Sequence, residues 1–245
     1  MGSMSELMIE MQNEQADKWI RGQLDNEEAD EDSDEYRQLA DEYSNLQDFL
    51  WEQAEFEEEL QWLKDNGSSI IHKNFIEEIG GLKDALNSVN LSVKPYMMYR
   101  MIYAHSVTLL EAFLGDTVKA LVSESEDNFV RSMRVNELKE ARYSLQFLAV
   151  NNVDARSLAI KELSEILYHN IPKVKKVFEV ILNKKLALDI SKVVQITKIR
   201  HDLVHRNGMT KDNDAIILTE SDVLGAISEI EVFSNELQTL ISKKA

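Results

Sequence analysis

Within six residues, Arg200-His201-Asp202-Leu203-Val204-His205, this chain gathers a permanent cation, two imidazoles and a carboxylate, and Arg206-Asn207-Gly208 follow at once. Imidazole titrates close to neutral pH and can move a proton in either direction. Guanidinium stays charged and offers a planar fork to phosphate oxygens. Side chains of these types at this density suit proton transfer and charge neutralisation at a phosphate.

The elements that must hold them are helical. Leu186, Ile190, Val193, Val194, Thr197 and Val204 recur at three- and four-residue intervals, which predicts a helix with one face toward a core. Asn207-Gly208 supplies residues that tolerate a left-handed turn and so end a helix, with Arg206 favourable near the negative end of its dipole. His201 and His205 then lie one turn apart on nearly the same face, whereas Arg200 and His205 are separated by about 140° around the axis. One isolated helix does not easily aim that arginine and that histidine at one small group. A second helix or a second subunit could bring copies of both onto one substrate.

An arginine followed by a polar residue and, five positions on, by a histidine, late on a helix that stops at Asn-Gly, resembles the ribonuclease motif of HEPN domains. A second stretch, Tyr103 to Leu114 with Leu110-Glu111-Ala112-Phe113-Leu114, is similar to the central helix of those families, and a closing helix over Ser221–Ile241 fits the same pattern. The resemblance covers roughly residues 70–242. It implies an all-α, HEPN-like helical bundle and a metal-independent endoribonuclease in which an RNA 2′-hydroxyl attacks the adjacent phosphate and leaves a cyclic phosphate end. It further implies a cleft formed by two protomers, no cofactor, and RNA as substrate with DNA spared for want of the 2′-hydroxyl. Arg200 would contact the scissile phosphate, His205 would act as general acid or base, and His201 fills the polar position after the arginine. Glu111, an acid amid apolar residues that needs a partner if buried, is expected to orient Arg200 or a motif histidine, with Asp202, Arg206 and Asn207 in support. Arg100 and His105 are weaker candidates for lining the cleft. Such domains occur in toxin–antitoxin and phage-defence systems, so an antitoxin or other regulatory protein is an expected partner. In a subset of the family a tyrosine two residues after the histidine is modified by a partner nucleotidyltransferase. Here that position is Asn207, so this control is not expected.

Other readings fit the same residues. His-Asp-x-x-His is close to the His-Glu-x-x-His helix of zinc peptidases, but aspartate is shorter than the usual base and no third ligand motif follows. Arg200 and Asp202 could instead be surface ion-pair members with His205 capping the last carbonyls. A non-catalytic helical module binding a partner or nucleotide through this surface is the alternative function.

Net charge of −17 looks hostile to a nucleic-acid enzyme until it is divided. Residues 1–66 hold 21 acidic and 4 basic side chains, while residues 67–245 hold 23 of each. Residues 173–206 carry nine Lys or Arg against Glu179, Asp189 and Asp202, a local +6 that includes the motif and suits phosphate steering. Solvated lysines on a helix face would give the same count. Two domains are expected: an acidic segment over 1–66 and a bundle over 67–245. In the first, Asp25–Asp34 is a self-repelling run expected to be disordered. Leu39, Tyr43, Leu46, Leu50, Phe56, Leu60 and Leu63 then mark an amphipathic acidic helix over Glu35–Leu63. It would either extend the core or lie near the +6 surface and compete with RNA.

Two prolines, eight glycines and few alternating β-branched runs point to long helices. They are expected over 70–91 (Ile71, Phe75, Ile79, Leu82 inward), 95–122, 133–149, 155–168 and 173–185, with breaks at Asn151-Asn152 and Asn170-Ile171-Pro172. Met97, Met98, Tyr99, Met101 and Tyr103 are expected in the core. The absence of cysteine excludes disulfides and thiolate chemistry. No apolar run is long enough to span a bilayer and no secretory signal opens the chain, so a cytoplasmic protein without a membrane partner is expected.

Overall fold

A computed structural model describes residues 4–24, 31–88, 95–146, 148 and 154–243. Every regular element among them is a helix: α1 (Met4–Arg21), α2 (Asp34–Ser88), α3 (Pro95–Glu124), α4 (Glu126–Ser132), α5 (Asn136–Glu140), α6 (Ala155–Ser164), α7 (Ile171–Ile181), α8 (Ser191–His205) and α9 (Glu220–Ser242). The only extended pairing described is an isolated antiparallel bridge, Met209 to Ala215.

The chain divides into two compact units, Met1–Glu59 and Leu60–Ala245. All the surplus acid is in the first, with 20 acidic against 3 basic side chains, whereas the second has 24 of each. In the first unit Ile20 is buried and Trp19 meets Tyr43 with ring centroids 5.3 Å apart. Asp17 accepts from Arg21 Nε at 2.8 Å and from the Tyr36 hydroxyl at 2.9 Å. Along the expected stripe Leu39, Tyr43 and Leu46 are half-buried, Leu50 is exposed, and Phe56 and Leu60 are again half-buried before Leu63, which is fully buried. Of the acidic run, residues 25–30 lie outside those described. Residues 31–33 form a turn rather than disordered chain, because the Ser33 hydroxyl accepts from the Tyr36 amide and starts α2.

In the second unit α3 is the axis. Val107, Leu110, Leu114, Val118 and Val122 are fully buried at helical spacing, and α6, α7, α8 and α9 all pack on this helix. Each such side chain withdrawn from water contributes about 1.5–3 kcal/mol. Helix α2 breaks at Gly67 (φ 45°), where Glu124 of α3 accepts from the Ser68 amide at 2.9 Å; Ile71, Phe75, Ile79 and Leu86 then face the core while Leu82 is only half-buried. Helix α9 opens on a reciprocal capping box between Thr219 and Asp222. Asn170 caps α7, with Pro172 in the first turn.

Three expected elements differ. The helix expected over 133–149 is cut to short α5, since Ala141 adopts extended backbone (ψ 140°); residues 147 and 149–153 lie outside those described. Helix α7 stops at Ile181, where Asn183 turns left-handed (φ 50°). Leu186 and Ile190 precede α8 instead of lying in it, because Glu179 accepts from the Leu186 amide and Asp189 from the Ser191 amide, fixing a loop with Leu186 and Leu188 buried.

Candidate active site at the end of helix α8

The end of α8 is built by its own sequence. The amides of Arg206 and Gly208 both donate to the Asp202 carbonyl at 3.1 Å, and Asn207 (φ 52°) and Gly208 (φ 78°) supply the left-handed turn. Asp202, 8% exposed, accepts from Arg206 Nη1 at 2.7 Å. Asp202 and Arg206 therefore lock the last turn, and their charges are spent on each other. The chain returns through the Met209–Ala215 bridge, with the Ile216 amide donating to the Gly208 carbonyl at 2.8 Å, and enters α9.

Arg100 ties this turn to α3. Its Nη2 donates to the Asn207 carbonyl at 3.2 Å, and the guanidinium fills the space that a side chain at Gly208 would need, 1.3 Å from an ideal Cβ. An alanine there must expel Arg100 and hold a positive φ. Gly208→Ala should cost about 1–2 kcal/mol from the backbone alone. Gly80→Ala on α2, where an added methyl meets open space, should stabilise by about 0.5–1 kcal/mol. Denaturant unfolding of the two variants reads both signs, and equal midpoints would remove the strain argument.

The structure brings His201 and His205 together: both are exposed, and their ring centroids are 4.8 Å apart. It does not bring Arg200 to them. Arg200 is half-buried on another side of α8, its Nε buried without a hydrogen-bond partner and its guanidinium without an ion pair among the described residues. The expected contact from Glu111 to Arg200 or a histidine is not formed, and Glu111 Oε1 is also buried without a partner. His105 is exposed elsewhere on α3. No group of three or more His, Asp or Glu side chains among the described residues is placed to hold a metal ion.

Correcting the expected core, Met97 and Met101 are 51% and 57% exposed; only Tyr103 of that set is buried, and there burial pushes its phenol well above the usual range. Sulfur-bearing and aromatic residues read as core from composition alone, but on α3 they alternate between the inner face and a solvent stripe. With Tyr96, Val204 and Ile217, also exposed, these methionines put unpartnered apolar surface at the end of the bundle that carries the motif. Arg100 is the residue whose role the sequence least conveyed. An arginine amid apolar residues was the signal, but its contact spans 107 positions.

An all-α bundle built on a long apolar helix, with a penultimate helix ending in Arg-His-x-x-x-His-x-Asn-Gly, defines a HEPN-domain protein. Residues 72–243, more than two thirds of the chain, match the family RiboL-PSP-HEPN, and the chain belongs to that family. Membership carries a nuclease-type or RNA-related function. No curated protein and no solved structure matches the chain. No helix among the described residues is long and apolar enough to cross a membrane.

Proposed function

We propose that this protein is a metal-independent endoribonuclease that acts as a homodimer, with Arg200, His201 and His205 in its active site. The observation that carries the reading is the pair of adjacent, exposed imidazoles of His201 and His205, with an Arg200 on another side of the same helix that no acid among the described residues neutralises. Protonatable groups free of acid partners are available to a substrate; locked ones such as Asp202 and Arg206 are not. Exposed Tyr96, Met97, Met101, Val204 and Ile217 support self-association at this end.

In the reaction, the RNA 2′-oxygen bonds to phosphorus as the bond from phosphorus to the 5′-oxygen breaks. His205 takes the proton from the 2′-hydroxyl, and the imidazolium of His201, one turn away on the same helix, gives one to the departing 5′-oxygen, while the arginine comes from the other protomer. Arg200 neutralises the charge that builds on the non-bridging oxygens. A cytoplasmic enzyme of this kind would harm its own cell, which fits a toxin or antiviral effector restrained by a partner.

The test is RNA cleavage in EDTA. Wild-type protein should produce cyclic phosphate ends, and His205→Ala should lower the rate by about 10²–10⁴. Equal cleavage by both would sink the assignment, and cleavage by neither would leave the surface to a non-catalytic binding module.

A further inference from the structure

A groove of about 670 Å³ opens between α5 and α7, on the opposite end of the bundle from the motif. Its position follows from Lys184 on the rim, whose Nζ donates to the carbonyls of Leu240 at 2.7 Å and Lys243 at 2.8 Å, at the last turn of α9. Helix α9 leaves the motif loop at Thr219, so the rim is about 30 Å from the motif along that helix.

The groove has an apolar floor of Val135, Val177 and Val180 and a strongly basic wall. Lys173 pairs with Glu137, and Lys185 with Glu179 at 3.1 Å. Lys184 is held by neutral carbonyls, so its charge is not cancelled. Arg134 and Lys176 are exposed and have no acid partner among the described residues. Five cations against two carboxylates leave +3 around one concavity. Fixed cations over a low-dielectric floor attract anions more strongly than the same charges spread in water. Between groove and motif, Lys198 lies on the exposed face of α8 one turn before His201, also without an acid partner.

We infer that this groove is a second, non-catalytic site that holds the backbone of single-stranded RNA, away from the phosphate being cut. The inference rests on the ribonuclease reading above. At about 3.4 Å per stacked nucleotide, some nine nucleotides separate the two sites. Shorter RNAs cannot touch both. An acidic protein segment could satisfy the same charges, but regularly spaced phosphates on one flexible strand fit cations arrayed from α7 along α8 toward the histidines.

The test uses the full chain and the double substitution Arg134→Gln/Lys176→Gln, two exposed residues outside the motif. Fluorescence anisotropy with a labelled 2′-O-methyl oligouridylate of about twenty nucleotides, which cannot be cleaved, should show roughly tenfold weaker binding by the variant. Cleavage of an unmodified oligouridylate of about five nucleotides should be unchanged, because it occupies the motif alone. Equal affinity of variant and wild type for the long probe would overturn the groove. So would an equal loss on the short substrate, and so would poly-L-glutamate that displaces the probe as well as RNA does, which would assign the groove to an acidic protein. Cleavage of the short substrate by the wild type reports the motif independently, so the two readings fail separately.

Discussion

Arg200→Ala and His205→Ala proteins should each be inactive toward RNA, by about 10²-fold or more, yet recover about a quarter of the wild-type rate when mixed and allowed to exchange subunits. The expectation follows from α8 itself. Its arginine and its second histidine project about 140° apart, and in the folded chain Arg200 is half-buried on one side while His205 is exposed on another. A substrate phosphate touched by both therefore needs one residue from each of two protomers. Random pairing makes half of the dimers mixed, and each mixed dimer keeps one intact composite site of its two. Chromatographically verified exchange without recovery would place both groups of one site on a single chain.

The second large effect is on stability. Arg206→Ala should cost about 1–3 kcal/mol, because it strands a carboxylate whose side chain is only 11% exposed. For a chain of this size that is a fall in melting temperature of roughly 2–4 °C per kcal/mol. Asp202→Leu combined with Arg206→Met should restore much of it, since apolar residues of similar volume can replace a paired charge. If Arg206 instead served the substrate, Arg206→Ala would lose cleavage at an unchanged melting temperature.

How much of this was legible depends on the range of the forces involved. Helix ends written by local chemistry were readable where they were sought: Asn207-Gly208 closing α8 and the break at Asn170-Ile171-Pro172 before α7 each act within four residues. The start of α8 was misread because Leu186 and Ile190 continue its apolar spacing, while the side chains of Glu179 and Asp189 hold that stretch as loop. Met97 and Met101 were misplaced because apolar content does not report which side of α3 faces inward. In the site, the adjacency of His201 and His205 was legible from one-turn spacing. The hold of Arg100 on Asn207 was not, nor was the meeting of Arg134 with Lys176, since each joins elements far apart in the chain.

The separation of charge between the two units has an electrostatic consequence. Residues 60–245 are balanced, and the first 59 residues carry the whole −17. At physiological ionic strength, with a Debye length of about 8 Å, an approaching polyanion senses only the charges it nearly touches. In dilute buffer the length reaches about 30 Å and the repulsive monopole extends across a molecular diameter. Dissolved ions thus decide whether an incoming strand meets a neutral body with basic patches or an acidic one.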